Sequence, residues 1–320
     1  MTIEENYAMA NNNLAEKKRK WNWKRILPIW LMMLPGVAYL VINNLLPLYG
    51  ITIAFRELDY SVGILNSPFN GLENFELLFK NPSIWRLLRN TIAYNVLFVV
   101  LDIVFPVTIA ILFNTIRSKT AKKIYQTSIL FPNVLSYVII SYIVYAFLST
   151  ETGFLNKSIL EPLFGKTINF YTEPKYWPFI LTLVHMWKGI GFGLVLYLSA
   201  LSGIDTNLYE AAKIDGASWW QYTKSITLPG LKTMMVTMFI LSLAGIVRSD
   251  FGLFYQVTKN IGDLYPTTQT LDVYVYNTLM NSVNITSSAA VSAFQSLVGF
   301  VLVVAANMVV KKIDPDRAMF

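Results

Sequence analysis

The chain has 320 residues, of which 54% are hydrophobic and 14% are charged, and it contains no cysteine and a single histidine, His185. Soluble domains carry about 25% charged residues, so this composition could not cover a soluble surface and predicts a membrane protein. The lack of cysteine excludes a disulfide framework and a thiolate metal site, and one histidine argues against histidine-rich metal chemistry. We therefore expect no metal site in the chain.

Six long segments with few or no charges follow one another along the chain. A helix needs about 20 apolar residues to cross the hydrocarbon core of a bilayer, and each segment reaches that length. We predict spans at residues 26–55, 91–116, 124–148, 177–201, 231–255 and 287–310. The expected fold class is an all-α membrane protein with six transmembrane helices in a domain of residues 26–320, preceded by a basic segment of residues 1–25.

The positive charges predict the orientation of these spans. Cytoplasmic loops of membrane proteins carry an excess of Lys and Arg. Placing the N- and C-termini in the cytoplasm puts sixteen of the 26 basic residues on the cytoplasmic side. The net charge of +7 is then largely explained by topology, and we expect a lipid bilayer rather than a nucleic acid as the partner of these charges.

The longest internal cytoplasmic loop, residues 202–230, is predicted to begin with a short helix. Asp205 or Thr206 can cap the start of this helix. Gly216 can end it, because glycine adopts the left-handed conformation that closes many helices.

A second short helix is predicted in the same loop. Ser218 and Gln221 have the spacing of a capping box for this helix. Pro229 is expected at the start of the fifth span, where a missing N–H costs little.

The loop carries a spaced motif, Glu210-Ala211-Ala212 followed after three residues by Gly216. This motif resembles the EAA loop of permease subunits in binding-protein-dependent ABC importers, where the loop forms a coupling helix that docks in a groove of the cytoplasmic ATPase. The alanines would permit close approach, the glycine a sharp turn, and the glutamate a contact with a basic group. The resemblance implies that the residues coupled to the ATPase are Glu210, Ala211, Ala212, Asp215 and Gly216.

Four further segments, residues 46–50, 71–75, 153–156 and 249–255, resemble carbohydrate-uptake permeases of the branch that includes the LplB and alginate-type oligosaccharide permeases. The resemblance implies a type I ABC importer permease fold in a bacterial inner membrane. It implies as partners a second homologous permease subunit, two copies of an ATP-binding subunit, an external solute-binding protein and an oligosaccharide. ATP and Mg²⁺ would bind the ATPase, and this chain would hold no cofactor and no catalytic site.

Charged side chains within spans are costly, so each is a candidate for function. Lys188 lies in the fourth span, Arg248 and Asp250 lie in the fifth, and Asp102 lies in the second. These charges could line a path for the substrate, or they could pair across helices and stabilise the bundle. Pairing is the favoured interpretation for Asp102.

Two helical faces are candidates for the substrate path. Small or polar residues of the fifth span would share one face of a continuous helix, namely Ser242, Gly245, Ile246 and Ser249. Lys188, Gly189 and Phe192 likewise share a face of the fourth span. Maltose-type permeases, which this chain resembles, place sugar contacts on these two helices. The substrate-path candidates are therefore Lys188, Phe192, Ser242, Ser249 and Asp250, and close helix packing is the alternative.

Two other classes of function compete with an importer. A proton-coupled secondary transporter could use Asp102, Lys188 and Asp250 as a relay, but the six spans show no inverted repeat and the loop would have no role. A membrane enzyme is disfavoured, because the sequence offers no nucleophile motif, metal cluster or acid pair. The segment Gly165-Lys166-Thr167 resembles the end of a P-loop but lacks the first glycine of that motif.

Overall fold

The computed structural model describes residues 23–59, 61–64, 66–116, 118–282 and 285–314. Most of the predicted basic segment lies outside these ranges, as do Arg117 and Arg317, and the orientation of the termini stays a prediction. Within the described ranges the backbone is mainly helical, and its β pairing is one antiparallel bridge between Arg56 and Phe69.

The helices follow one another with short connections. The α-helices of the described residues are α1 Trp23–Leu40, α2 Leu46–Leu48, α3 Glu73–Lys80, α4 Pro82–Asn114, α5 Lys119–Val134, α6 Tyr137–Leu148, α7 Glu161–Phe164, α8 Trp177–Ser202, α9 Thr206–Ile214, α10 Trp219–Tyr222, α11 Leu228–Ala244, α12 Tyr265–Thr268, α13 Leu271–Asn277 and α14 Ile285–Ile313. Segments of π-helix are Val41–Leu45, Leu155–Leu160, Thr223–Thr227, Gly252–Val257 and Thr278–Ser282. Segments of 3₁₀-helix are Tyr49–Phe55, Pro174–Tyr176 and Gly262–Leu264.

The chain divides into two compact units between Thr52 and Ile53. In the first unit, α1 continues through the π-helical turn Val41–Leu45 into α2. Its apolar side chains are exposed on all sides, Met32 for 83% of its surface. A helix that is apolar all round suits contact with lipid. The second unit contains α3 to α14.

Five continuous helical stretches are long and apolar enough to cross a membrane, namely Leu27–Phe55, Pro82–Asn114, Pro174–Ser202, Trp219–Ala244 and Ile285–Ile313. A sixth segment, formed by α5 and α6, meets the same criterion only as a pair, and the pair is bent by 98°. The predicted all-α membrane fold is confirmed, with five candidate spans, or six if the bent pair counts as one span. The third predicted span, residues 124–148, is divided between α5 and α6 at this bend.

The break between α5 and α6 has a local cause. Pro132 lacks an N–H, and Leu135 and Ser136 have extended backbone, with ψ angles of 136° and 151°. The Ser136 hydroxyl accepts a hydrogen bond from the Ile139 N–H at 3.3 Å and so caps α6. The chain therefore starts a new helix at this point instead of continuing the first.

The fifth span also differs from its prediction. A continuous helical stretch, Trp219–Ala244, joins α10, a π-helical turn and α11. Pro229 is the second residue of α11, near the helix start as predicted, and it follows the π-helical turn Thr223–Thr227. Because the helix ends at Ala244 and residues 245–250 are not helical, the prediction of a continuous span over 231–255 is wrong.

Helix α8 packs closely against both α4 and α5. A Cβ on Gly191 would overlap the Ile129 carbonyl oxygen of α5 and would lie 2.8 Å from Leu130 Cα. A Cβ on Gly193 would lie 2.8 Å from Pro106 Cγ of α4. These glycines therefore allow the close helix approach that small residues provide in membrane proteins.

Replacing Gly191 with alanine should destabilise the protein by about 1–3 kcal/mol, because an added methyl group in a packed interface forces the backbone to shift. Gly189→Ala is the matched control on the same helix, since its Cβ would meet only Asp102 Oδ1, at 3.9 Å. Alanine is better than glycine inside a helix by about 0.5–1 kcal/mol, so the control should be neutral or stabilising. Thermal unfolding of the detergent-solubilised protein measures the stability of both variants. If Gly191→Ala were as stable as Gly189→Ala, the close approach of α8 and α5 at Gly191 would be contradicted.

Candidate functional site

The helix predicted at the start of the loop of residues 202–230 is present as α9. The Asp205 carboxylate accepts a hydrogen bond from the Asn207 N–H at 2.9 Å and caps this helix. Ser218 and Gln221 form the predicted capping box at the start of α10. Both predicted N-terminal caps are confirmed.

Helix α9 ends in a left-handed glycine turn. The Gly216 N–H bonds to the Lys213 carbonyl at 3.1 Å, and the Ala217 N–H bonds to the Ala212 carbonyl at 2.9 Å. These two bonds form a Schellman motif. Gly216 has a φ of 76°, which confirms the predicted turn conformation, and a Cβ there would meet no atom within 4 Å.

Helix α9 presents charged and apolar groups to solvent together. Glu210, Ala211 and Asp215 are exposed, and Ala212 is partly exposed. Ile214 is 86% exposed although it is apolar. Exposed apolar side chains beside charges are typical of a protein interaction site. The structure thus brings the five loop candidates onto one accessible helix and its turn, and adds Ile214, which the sequence analysis missed.

Contacts with the next helix hold α9 in place. The Tyr209 hydroxyl lies 3.1 Å from Thr227 Oγ1, and the Tyr209 ring meets the Tyr222 ring edge-on at 5.8 Å. A cavity of about 510 Å³ lies beside these contacts, and its walls include Glu210 and Lys213. Because Tyr222 and Thr227 belong to the stretch Trp219–Ala244, α9 is attached to a helix that ends at the non-helical residues 245–250.

Lys188 stabilises the break between α5 and α6. Its ammonium donates hydrogen bonds to the carbonyls of Asn133 at 2.9 Å and Leu135 at 2.6 Å. These carbonyls lie at the end of α5, where a helix leaves carbonyl groups unpaired and where a cation is favourable. Lys188 therefore has a structural partner, and its proposed contact with substrate stays a prediction.

The second break, residues 245–250, is held in part by α4. Asn95 donates from Nδ2 to the Ile246 carbonyl at 2.9 Å and also to the Arg248 carbonyl. The Arg248 guanidinium in turn donates to Ser296 Oγ of α14 at 2.8 Å. Carbonyls that left the helix thus regain partners, as backbone groups in an apolar environment require.

Helices α13 and α14 hold the rest of this break. Gln295 donates to the Val247 carbonyl at 2.7 Å and to Asp272 Oδ2 at 3.2 Å. The same carboxylate oxygen accepts from the Ser249 N–H at 2.6 Å and from the Ser249 hydroxyl at 2.9 Å. The Ser249 hydroxyl also lies 2.6 Å from Thr270 Oγ1. Asp272 is therefore the central acceptor of this break.

Tyr137 joins the two breaks. It is the first residue of α6, and its hydroxyl donates to the Asp250 carboxylate. The Lys188 ammonium lies 4.9 Å from the centroid of the Tyr137 ring. A Cβ on Gly252 would overlap that ring. The candidates Lys188 and Asp250 thus meet at one residue that the sequence analysis missed.

The remaining substrate-path candidates lie apart. Ser242 is in α11, and its hydroxyl donates to the Met238 carbonyl at 2.8 Å. Ser249 lies beyond the end of that helix, so the predicted common helical face of Ser242 and Ser249 is wrong. Phe192 on α8 is 57% exposed. A role of these residues in the substrate path stays a prediction.

Asp102 pairs across helices. His185 Nε2 lies 3.0 and 3.1 Å from the two carboxylate oxygens of Asp102, and the His185 ring stacks on Phe98 at 3.7 Å. This contact joins α8 to α4, which agrees with the interpretation favoured for Asp102. In the part of the chain that the structure describes, no three His, Asp or Glu side chains gather as a metal site would require.

Broken helices that meet inside a multi-pass helical membrane protein are the architecture expected of a membrane transport component. The chain is a member of the family described as "Binding-protein-dependent transport system inner membrane component", whose profile matches residues 87–316. This membership confirms the family predicted from the loop motif.

Several known proteins resemble the chain over most of its length. Protein LplB of Bacillus subtilis (strain 168) is 31% identical over 306 residues, which cover 94% of this chain and 92% of that protein. The polygalacturonan/rhamnogalacturonan transport system permease protein YteP of the same organism is 32% identical over 292 residues, which cover 90% of this chain and 89% of that protein. A bacterial ABC transporter involved in the import of the acidic polysaccharide alginate contains a chain with a TM-score of 0.83 and 27% identity, covering 93% of this chain and 100% of that chain.

Replacing Lys188 with methionine should destabilise the protein by about 1–3 kcal/mol, because two carbonyls at the end of α5 would lose their donor. Thermal unfolding in detergent measures this effect. Lys166→Met is the control, since Lys166 is an exposed loop residue. If Lys188 contacts only the substrate, Lys188→Met will unfold at the same temperature as the wild type and only its transport activity will change.

Proposed function

We propose that this chain is one permease subunit of an ATP-driven importer and that α9 couples it to a separate ATPase. The observation that carries the proposal is the exposed helix α9 with its left-handed turn at Gly216. Its exposed Glu210 and Ile214 offer a charge and an apolar contact to a soluble partner. Family membership supports the same reading, since the family is named for transport that depends on a binding protein.

The complete importer would contain several further chains. We propose a second homologous permease, two copies of an ATP-binding subunit and an external solute-binding protein. In support, a second solved structure with a TM-score of 0.82 and 27% identity is a bacterial alginate ABC transporter in complex with a periplasmic protein that holds an alginate pentasaccharide. ATP and Mg²⁺ would bind the ATPase subunits, and this chain would work without a cofactor in the bacterial cell membrane.

The substrate is proposed to be a carbohydrate, in particular an oligosaccharide. The names of YteP and of the lactose transport system permease protein LacF of Rhizobium radiobacter, 30% identical over 254 residues, support this class. Sugars need polar groups for their hydroxyls and an aromatic face for their C–H side. Tyr137, Lys188 and Asp250 near the breaks, with exposed Phe192, offer both kinds of group.

The helix from Trp219 to Ala244 suggests how the ATPase would act on the substrate path. Its 26 residues span about 39 Å, with α9 attached near one end and the second break at the other. A displacement of α9 would be carried along this helix to residues 245–250, where Asp250 contacts Tyr137. Breaks between rigid helices are suitable hinges, so alternating access would open and close the path at this contact.

A proton-coupled secondary transporter is the less favoured alternative. Its relay would need Asp102, Lys188 and Asp250 to exchange a proton. Asp102 contacts His185, whereas Lys188 donates to backbone carbonyls and Asp250 accepts from Tyr137. Each group thus has its own structural partner, and the relay would leave the exposed helix α9 without a role.

Reversing the charge of Glu210 tests the proposed function. Glu210→Lys should reduce ATP-dependent uptake at least about tenfold, because a charged contact with the ATPase becomes repulsive. The measurements are uptake into proteoliposomes and ATP hydrolysis by the complete transporter. Glu151→Lys, at another exposed glutamate, is the control. Normal uptake by the Glu210 variant at normal membrane levels would show that α9 does not couple the subunits.

Gly216 allows a sharper test of the turn. Valine disfavours a positive φ, whereas asparagine tolerates it, and a side chain at this position would meet no atom within 4 Å. Gly216→Val should therefore reduce the amount of ATPase that copurifies with the permease, and Gly216→Asn should retain most of it. Equal copurification of both variants would argue that the turn is not needed for docking.

A further inference from the structure

A small pocket lies between α6 and the segment that follows the second break. Its volume is about 230 Å³, below the roughly 300–1,000 Å³ of pockets that enclose a whole ligand. It is lined by Val138, Ser141, Tyr142, Tyr255, Gln256 and Lys259. This size and mixed lining suit one unit of a longer, partly polar molecule.

Lys259 occupies a backbone position that glycine usually fills. Its N–H bonds to the Gln256 carbonyl at 3.1 Å, and the N–H of Asn260 bonds to the Tyr255 carbonyl at 3.0 Å. These bonds form a Schellman motif with Lys259 at the left-handed position, where its φ is 54°. Strained conformations of this kind concentrate at functional sites, so the lysine side chain is a candidate for function.

A polar cluster holds this strained turn. Asn260, whose φ is 51°, donates from Nδ2 to Asn277 Oδ1 at 3.0 Å and accepts from the Tyr265 hydroxyl at 3.0 Å. The Asn277 amide also donates to the Tyr265 hydroxyl at 3.1 Å. The neighbouring Tyr255 ring packs edge-on against Tyr276 at 4.9 Å. The pocket wall is therefore built before any ligand arrives.

The charge of Lys259 has aromatic partners but no acid. Its ammonium lies 3.5 Å from the centroid of the Tyr145 ring and 5.6 Å from that of Tyr142. Among the residues that the structure describes, none of the salt bridges involves Lys259. Cation–π contacts orient an ammonium without using up its N–H donors. The N–H groups of the Lys259 ammonium therefore remain available to an anion.

We propose that this pocket binds the carboxylate of an acidic sugar unit in the transported oligosaccharide. Lys259 would donate to the carboxylate, and Gln256 would bond to a ring hydroxyl. The exposed Tyr142 and the half-buried Tyr255 would offer their faces to the C–H side of the sugar. This proposal rests on the proposed function. It adds acidic sugars as the substrate class, and it adds a site that is separate from the candidate faces of the fourth and fifth predicted spans.

In the predicted orientation, the pocket lies toward the side from which substrate would arrive. Tyr145 packs against Tyr171 at 5.6 Å, and Tyr171 packs against Trp177 at 5.2 Å. Trp177 is the first residue of α8, whereas α9 follows the last residue of that helix, which is about 39 Å long. The pocket and α9 therefore lie near opposite ends of α8.

Direct binding of matched sugars tests the assignment. The complete transporter in nanodiscs would be titrated with trisaccharides of galacturonate, mannuronate and guluronate, each beside its carboxyl-reduced neutral form, without the binding protein. Lys259→Gln should weaken binding of the preferred acidic trisaccharide about tenfold, equivalent to about 1.4 kcal/mol, and leave the neutral form within about twofold. Lys259→Arg should retain the preference for the acidic sugar. The control Lys166→Gln, at an exposed lysine, should leave the binding of both sugars unchanged.

Lys259→Gly separates a lost charge from a misfolded turn. Glycine is favoured at this left-handed position, so this variant should be at least as stable as the wild type and should still lose the acidic preference. The proposal is overturned if acidic and neutral sugars weaken equally in the Lys259 variants, or if the wild type binds the neutral forms as tightly as the acidic ones. It is also overturned if a separate docking measurement shows that Lys259→Gln weakens only the docking of the sugar-free binding protein and leaves sugar binding unchanged.

Uptake into proteoliposomes and ATP hydrolysis, measured with the same sugars, distinguish this proposal from the proposed function. A wild-type transporter that binds and imports neutral trisaccharides but not acidic ones would refute the acidic subsite alone. A transporter whose ATP hydrolysis and uptake respond to no carbohydrate at all would refute the carbohydrate importer, and the acidic subsite with it.

Discussion

Backbone polar groups inside an apolar segment need partners from the protein, because the hydrocarbon core of a bilayer offers no water. The two helix breaks meet this requirement in different ways. At the first break one long side chain, Lys188, reaches two carbonyls. At the second, Asn95, Gln295 and Asp272 reach the backbone from three other helices. The breaks therefore determine which positions of four neighbouring helices must carry polar residues.

Features that depend on local contacts could be predicted from the sequence. Asp205 and Ser218 cap helices through N–H groups two or three residues away, and Gly216 turns the chain within its own motif. The caps, the turn and the motif spacing of the loop of residues 202–230 could therefore be predicted from the sequence. The helical membrane class could be predicted for another reason, because composition and the length of apolar runs reflect the transfer of side chains out of water.

The breaks could not be predicted from hydropathy, which measures how apolar a segment is and not whether its backbone is helical. Ser136 shortly after Pro132, and Gly245 before a charged stretch, are local signals that could have indicated them. Tyr137 carries no such signal, because its partner Asp250 lies 113 residues away. For the same reason, the structural contact of Lys188 became visible only in the folded chain.

The continuous helix from Trp219 to Ala244 also places a restriction on changes in chain length. Each residue inserted into an α-helix adds 1.5 Å and rotates everything beyond it by about 100°. A single insertion would therefore turn Ser249 and Asp250 away from Asp272 and Tyr137, even with every side chain retained. The number of residues in this helix sets a distance and an angle together, so length variation is better tolerated in the loops outside it.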